Sequence, residues 1–359
     1  MCMGLRKNLL VMFGGASSEH EISCISASSV LKHIDKEKYN IYKMGITKEG
    51  NWFLTSSPVA NISDGSWEKD KNNRPASILP HRADANISIV NRDGTCEQMK
   101  VDVVFPVLHG KNGEDGTMQG LLQIAGIPFV GSGAASSAAC MDKAITKAMV
   151  EHAGRVAQAK CFVSFRRTYE KDKAAEVRTV RKFFEAQLPL FVKPANAGSS
   201  VGISKVKSYD QLEAALDKAF AEDGKVVVEE MITGREIEVA VLGNEAPRAS
   251  CIGEIFAANE FYDYEAKYQN QESKTGIVTD LDKALEDGIR SAAVSVYETM
   301  GCRGLARVDF FLEESGRVVF NEINTLPGFT QISMYPKLWE ESGIPYSELI
   351  DRLIELACE

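Results

Sequence analysis

The sequence predicts an α/β protein of two or three domains, and three observations lead there. At 359 residues the chain exceeds what one simple core organises. Apolar runs of strand length alternate with helix-period patterns through most of its length. Near the end, Leu305–Leu312 and 317–323 alternate apolar and polar residues around a Glu-Glu-Ser-Gly turn at 313–316, which predicts a hairpin.

In chain order, the first third reads as an α/β unit. A short strand at 9–13 ends at Gly14-Gly15, a serine-rich turn follows, and an amphipathic helix runs from about 21 to 33. Strands are expected at Tyr39–Ile46 and 101–108, and a helix at 118–125. The stretch 57–100 is polar and rich in Pro, Asn and Asp, which predicts irregular surface chain. Next come a helix at 141–153, a strand at 160–165, a helix at 174–187 and a strand at Leu190–Pro194. After a Gly/Ser-rich loop follow a strand at 203–206, a helix at 209–221 and an apolar strand at 225–228. Strands from about 236 lead to a helix at 280–300, where Leu285, Ile289, Ala292, Val296 and Met300 recur at helical spacing. A helix at Tyr346–Ala357 closes the chain.

Composition excludes several classes. With 44% hydrophobic and 25% charged residues, the chain matches an ordinary globular protein. A net charge of −9 without a Lys/Arg run offers no surface for nucleic acid. Neither a leader sequence nor an apolar run of membrane-spanning length is evident, so no membrane partner is expected. The eight cysteines form no C-x-x-C pair and have no histidine at ligand spacing. Reduced thiols in a cytoplasmic protein are therefore expected, with no zinc or catalytic cysteine. Gly14-Gly15 lacks G-x-G-x-x-G spacing and a clear acidic partner, which argues against a nicotinamide cofactor.

Chemistry concentrates in Arg307-Val-Asp309 and Asn321-Glu322-Ile-Asn324-Thr-Leu-Pro-Gly328. The hairpin brings Asp309, Glu322 and Asn324 together, with the last two on one strand face. Two carboxylates and an amide oxygen suit Mg²⁺ held partly by protein and partly by phosphate, beside Arg307. An acidic hairpin edge with a structural salt bridge is the plainer alternative. Lys193-Pro-Ala-Asn-Ala-Gly198-Ser199-Ser200-Val-Gly202 joins a strand-end lysine to backbone N–H groups and hydroxyls able to wrap phosphate, though it also reads as a surface turn. Glu229 and Glu230 end an apolar strand suited to pass behind an adenine, or are simply solvated acids. His109, in His-Gly-Lys-Asn-Gly-Glu-Asp-Gly, and Glu19, at a helix start, fall where open α/β sheets bind ligands or where a helix is capped. The aromatic, charged stretch from Phe261 to Tyr268 has the composition of a closing loop or of an exposed one.

In this order, H-G-x-x-G-E-D-G, E-A-K-Y and N-E-I-N-T-L-P-G-F-T resemble the D-alanine–D-alanine ligases of the ATP-grasp superfamily, over nearly the whole chain. The resemblance implies a three-domain α/β and α+β ATP-grasp fold with an N-terminal Rossmann-like (pre-ATP-grasp) domain. The expected bounds are 1–138 for the substrate-binding domain, 139–230 for the central ATP-grasp subdomain and 231–359 for the C-terminal one. It implies ATP-dependent joining of two D-alanines for the peptidoglycan precursor, in a cytoplasmic homodimer. Carried over by motif, Lys143 and Lys193 bind ATP phosphates with Ser200 in the same loop, Glu229 and Glu230 lie in the adenine segment, and Glu236 contacts the ribose. Asp309, Glu322 and Asn324 hold two Mg²⁺ (or Mn²⁺) ions. Glu19 grips the first D-alanine's ammonium, His109 lies near its carboxylate, and Ser199 and Tyr268 join Glu19 in a triad that shuts the site. Lys267 neutralises the γ-phosphate, Arg307 and the Gly328 N–H stabilise the oxyanion, and Ser333 with Met334 receive the second substrate. Relatives that use D-lactate or D-serine second carry S-R-Y-P where this chain reads Ser333-Met334-Tyr335-Pro336, which favours D-alanine. The chain departs from the family pattern at Gly154-Arg-Val, where Ile-Pro is usual, and at 275–280, which lacks Pro-Ala.

Overall fold

The computed structural model describes residues 6–81, 86–198, 201–256 and 274–359, which build three sheets. In the first, seven strands lie in the spatial order Cys96–Met99, Ile87–Val90, Arg74–Ile78, Trp52–Leu54, Tyr39–Ile46, Lys7–Gly14 and Val103–Pro106. Lys7–Gly14 pairs parallel with both of its neighbours. Its run Leu9–Phe13 is wholly buried because both faces are covered, as parallel strands require. Helix His20–His33 packs on one face and helix Thr117–Ala125 on the other.

The stretch 57–100 corrects the expectation of irregular chain. It contains the short helix Val59–Ser63, a 3₁₀ turn at Ser66–Lys69 that buries Trp67, and three antiparallel strands extending the sheet. Those strands are four or five residues long. The outermost, Cys96–Met99, is mostly exposed, so its polarity hides the strand period.

The second sheet is antiparallel, in the order Ser204–Val206, Leu190–Pro194, Lys225–Glu230, Cys161–Phe165. Helices Lys173–Phe183 and Leu212–Glu222 close a core over it that includes Val180, Leu216, Val192 and Val228. The third has six strands: Lys274–Ile277, Arg248–Phe256, Arg235–Leu242, Leu305–Leu312, Val318–Asn324 and Ala157–Gln158. Helix Lys283–Thr299 covers one face through Ile289, Ala293, Val296 and Tyr297.

The helix expected at 141–153 forms as Lys143–Ala153, started by Asp142, whose Oδ1 accepts the N–H bonds of Ala144 and Ile145. A helix that the sequence did not signal, Ala134–Met141, precedes it. Helix Met334–Glu341 was not anticipated. It packs with Tyr346–Ala357 in the core that joins the first and third sheets, where Val11, Phe13 and Phe105 meet Leu305, Tyr335, Leu338, Leu349 and Leu353. That shared core holds the first and third sheets together. Among the described residues all seven cysteines are free, and no helix is long and apolar enough to cross a membrane.

Candidate active site

The hairpin forms as the alternation predicts, with Asp309 opposite Glu322 and Arg307 opposite Asn324. The register slips between Asp309 and Phe310: Phe310 pairs with Phe320, and Asn321 is left as the extra residue of a bulge. Such a bulge re-aims the residues beyond it, here Glu322 and Asn324, while Phe310 and Phe320 remain buried. Arg307 donates to both oxygens of Asp309, Nε to Oδ1 at 2.8 Å and Nη2 to Oδ2 at 2.7 Å. Its Nε also lies 3.2 Å from Glu238 Oε1. Burial works against the guanidinium charge, but Asp309 and Glu238 outweigh it and raise the pKa well above the ordinary arginine value.

Lysines form the opposite wall. Lys143 begins its helix, donates to the Ala197 carbonyl at 2.9 Å and lies 3.8 Å from Glu322 Oε2. Lys193 reaches Glu229 Oε2 at 2.7 Å, and Lys147 lies 2.8 Å from Glu229 Oε1. Burial pushes the Glu229 carboxyl up, yet the two ammonium groups overcome it and hold the pKa at about 2. Glu236, on the neighbouring sheet, adds its charge to those raising the Lys193 pKa. Glu230 is occupied otherwise: its Oε1 accepts the Lys160 N–H at 2.8 Å at the strand end.

The N-terminal sheet supplies the third wall. Glu19 sits at the N-cap of His20–His33, but its side chain does not cap that helix. The carboxylate is buried instead, so close to the backbone that a methyl group on Gly110 would stand 2.7 Å from its Oε2 and one on Gly198 3.3 Å. The turn that delivers it needs glycine: Gly14 has φ +84°, and a Cβ there would lie 2.2 Å from the Ile46 carbonyl. His109 is buried, with Nδ1 3.1 Å from the Leu326 carbonyl and Nε2 3.3 Å from Ser26 Oγ. A carbonyl can only accept, so Nδ1 carries the proton. Burial lowers the His109 pKa, with Glu19 and the Leu326 carbonyl acting against it.

Near the Pro-Gly turn, a Cβ on Gly328 would stand 3.1 Å from Ser333 Oγ, which also accepts the Thr330 N–H at 3.0 Å. Met334 is buried, and its Sδ lies against Gly253. Ser199, Ser200, Lys267 and Tyr268 lie outside the described residues. The rest lie close together: Glu19 Oε2 is placed where a Cβ on Gly198 would meet it, Ala197 accepts from Lys143, Lys143 lies near Glu322, and Leu326 bonds His109.

Three residues of this neighbourhood carried no assignment in the sequence. Glu114 accepts the Gly110 N–H at 2.9 Å, and burial, reinforced by the Glu19 charge, pushes its pKa up to about 8. It stands inside H-G-x-x-G-E-D-G, so the motif itself was the available signal. Lys147 is one helical turn beyond Lys143, and Glu238 is two strand positions beyond Glu236; each repeats the facing of an assigned neighbour.

The donor set fits a hard cation. Asp309 and Glu322 oppose each other, and the Asn324 Oδ1 that accepts the Leu326 N–H at 3.0 Å keeps a second lone pair. Among the described residues no three His, Cys, Asp or Glu side chains form a metal site on their own, so phosphate oxygens would have to complete the shell.

Comparison with known proteins locates this architecture. Residues 8–132 match a family model described as "D-ala D-ala ligase N-terminus", and residues 146–355 one described as "D-ala D-ala ligase C-terminus". The D-alanine–D-alanine ligase B of Clostridium tetani is 49% identical over 350 residues, 97% of this chain and 93% of that one. The D-alanine–D-alanine ligase of Acetivibrio thermocellus is 48% identical, over 99% of this chain and 97% of that one. Among solved structures, the VanG D-Ala:D-Ser ligase of Enterococcus faecalis superposes with a TM-score of 0.87 at 39% identity, covering 98% of this chain and 99% of that one. The D-alanine–D-alanine ligase of Coxiella burnetii gives 0.86 at 36% identity, covering 99% and 94%.

Proposed function

The chain belongs to the D-alanine–D-alanine ligase family, and from that premise we propose that it joins two D-alanines at the expense of ATP, through D-alanyl phosphate. The fold is that of the ATP-grasp ligases. The observation that carries the proposal is the close placement of Glu19 beside the Gly198 backbone, of Lys143 between Ala197 and Glu322, and of Arg307 on Asp309 in the same hairpin. A carboxyl-activating site needs those three functions side by side.

The mechanism follows from charge. Lys143 and Lys193 take the nucleotide's phosphates, with Glu229 in the adenine segment and Glu236 at the ribose. Mg²⁺ or Mn²⁺, two ions held by Asp309, Glu322 and Asn324, would neutralise phosphate oxygens and leave the phosphorus open to attack. Glu19 holds the first D-alanine's ammonium, and the neutral His109 ring stands beside its carboxylate. That carboxylate is a weak nucleophile, so positioning and charge neutralisation supply most of the acceleration when it takes the γ-phosphoryl group. The neutral amine of the second D-alanine, received at Ser333, then attacks the acyl carbon and expels phosphate. The oxyanion formed on the way lies between the Arg307 guanidinium and the Gly328 N–H. In this reading Ser199 and Tyr268 would join Glu19 to shut the site, and Lys267 would neutralise the γ-phosphate. The dipeptide is a peptidoglycan precursor, made in the cytoplasm by a homodimer.

One observation favours a second reading. The close structural match to a D-Ala:D-Ser ligase leaves D-serine as an alternative second substrate, since an apolar pocket rejects an added hydroxyl by only about 10². Phosphate release from ATP with D-alanine, D-serine, D-lactate and the L-enantiomers tests both. D-alanine alone should support turnover and the L-enantiomers should not. D-alanine-independent release would contradict the proposal, and faster turnover with added D-serine would move it to the second reading.

A further inference from the structure

We propose that Lys147 is a positioning residue for nucleotide binding, which divides the Glu229 carboxylate so that Lys193 keeps a net charge for phosphate. The inference rests on the nucleotide reading of the cleft and goes beyond the residues assigned to it.

Lys147, Glu229 and Lys193 form a buried row, with side chains 5%, 5% and 13% exposed. The two ammonium groups meet different oxygens of the same carboxylate, at 2.8 Å and 2.7 Å. Lys147 also lies 5.9 Å from the centroid of the Phe320 ring, whose face favours a cation. Burying an ammonium costs free energy that pairing only partly recovers, and an apolar side chain at this helix position would avoid the cost. What the lysine adds is charge balance. Glu229 and Lys193 alone make a neutral pair, with the carboxylate free to draw the ammonium onto both of its oxygens. With Lys147 present the row carries one net positive charge, and Lys193 is tethered through one oxygen only. Helix Lys143–Ala153 thus presents two lysines one turn apart, Lys143 toward the loop before Gly198 and Lys147 behind Glu229.

The test is ATP affinity, by equilibrium binding and as KM, in the full chain. Lys147→Met should weaken ATP by about tenfold or more while kcat and the KM for D-alanine change little, since uniform nucleotide binding is what is lost. Lys147→Arg, which restores the charge, should recover most of the affinity. Unchanged ATP affinity in Lys147→Met, or in Lys147→Gln where Lys147→Met does not fold, overturns the proposal, as does a Lys147→Arg variant that binds ATP no better than the neutral one. Wild-type protein that binds ATP without turning over D-alanine would sink the ligase reading and leave this one standing.

Discussion

Arg307, which the proposed mechanism sets beside the oxyanion, is held by Asp309 on two bonds and by Glu238 on a third side. Its partners keep it charged and fix its plane, so stabilising an oxyanion needs no reorganisation. Arg307→Ala should leave ATP binding largely intact and lower dipeptide synthesis by about 10²–10³-fold. Near-normal turnover in steady-state assays would remove Arg307 from the chemistry. Glu114 is the residue whose ionisation the fold disturbs in the opposite sense. Its pKa rises from 4.5 to about 8, so the folded chain holds a proton that the unfolded chain has released. That contribution to stability is complete below 4.5 and is lost as pH rises toward about 8. Replacing Glu114 with Gln should therefore flatten the fall in Tm across that window, measured by thermal unfolding at stepped pH. An unchanged slope would mean that Glu114 titrates as an ordinary carboxyl.

Among the elements, the hairpin was legible because its alternation is clean and its turn is Gly-terminated, and Leu305–Leu312 appears with the expected bounds. The bulge at Asn321 was not, because a one-residue slip leaves no mark in composition. The helix at 141–153 was legible to within two residues of its start, Lys143, where the Asp142 side chain caps it. Strands between 57 and 100 were hidden by short length and exposed faces, and helix Met334–Glu341 by a proline in its first turn. The site residues were legible to the degree that they stand in motifs. Lys147 and Glu238 stand in none, and only the pairing of their charges across elements brings them forward.

No one sheet of the molecule could perform the proposed reaction. Glu19 and His109 lie just beyond strands of the first, Lys193 and Glu229 within strands of the second, and Arg307, Asp309 and Glu322 within strands of the third. The helix Tyr346–Ala357 ties the first sheet to the third through Leu349, Ile350, Leu353 and Ile354, all buried, so the sheet beside Glu19 and the hairpin of Arg307 and Asp309 share a core. That sharing fixes the distance between them, on which transfer of a phosphoryl group to a carboxylate depends. The proposed reaction turns on phosphorylation of the carboxylate of one D-alanine. Incubating the enzyme with ATP and D-alanine labelled with heavy oxygen in its carboxylate, then analysing the released phosphate by mass, tests it directly. One labelled oxygen should move into each phosphate as the dipeptide forms. Dipeptide formed with unlabelled phosphate would contradict an acyl phosphate and the account built on it.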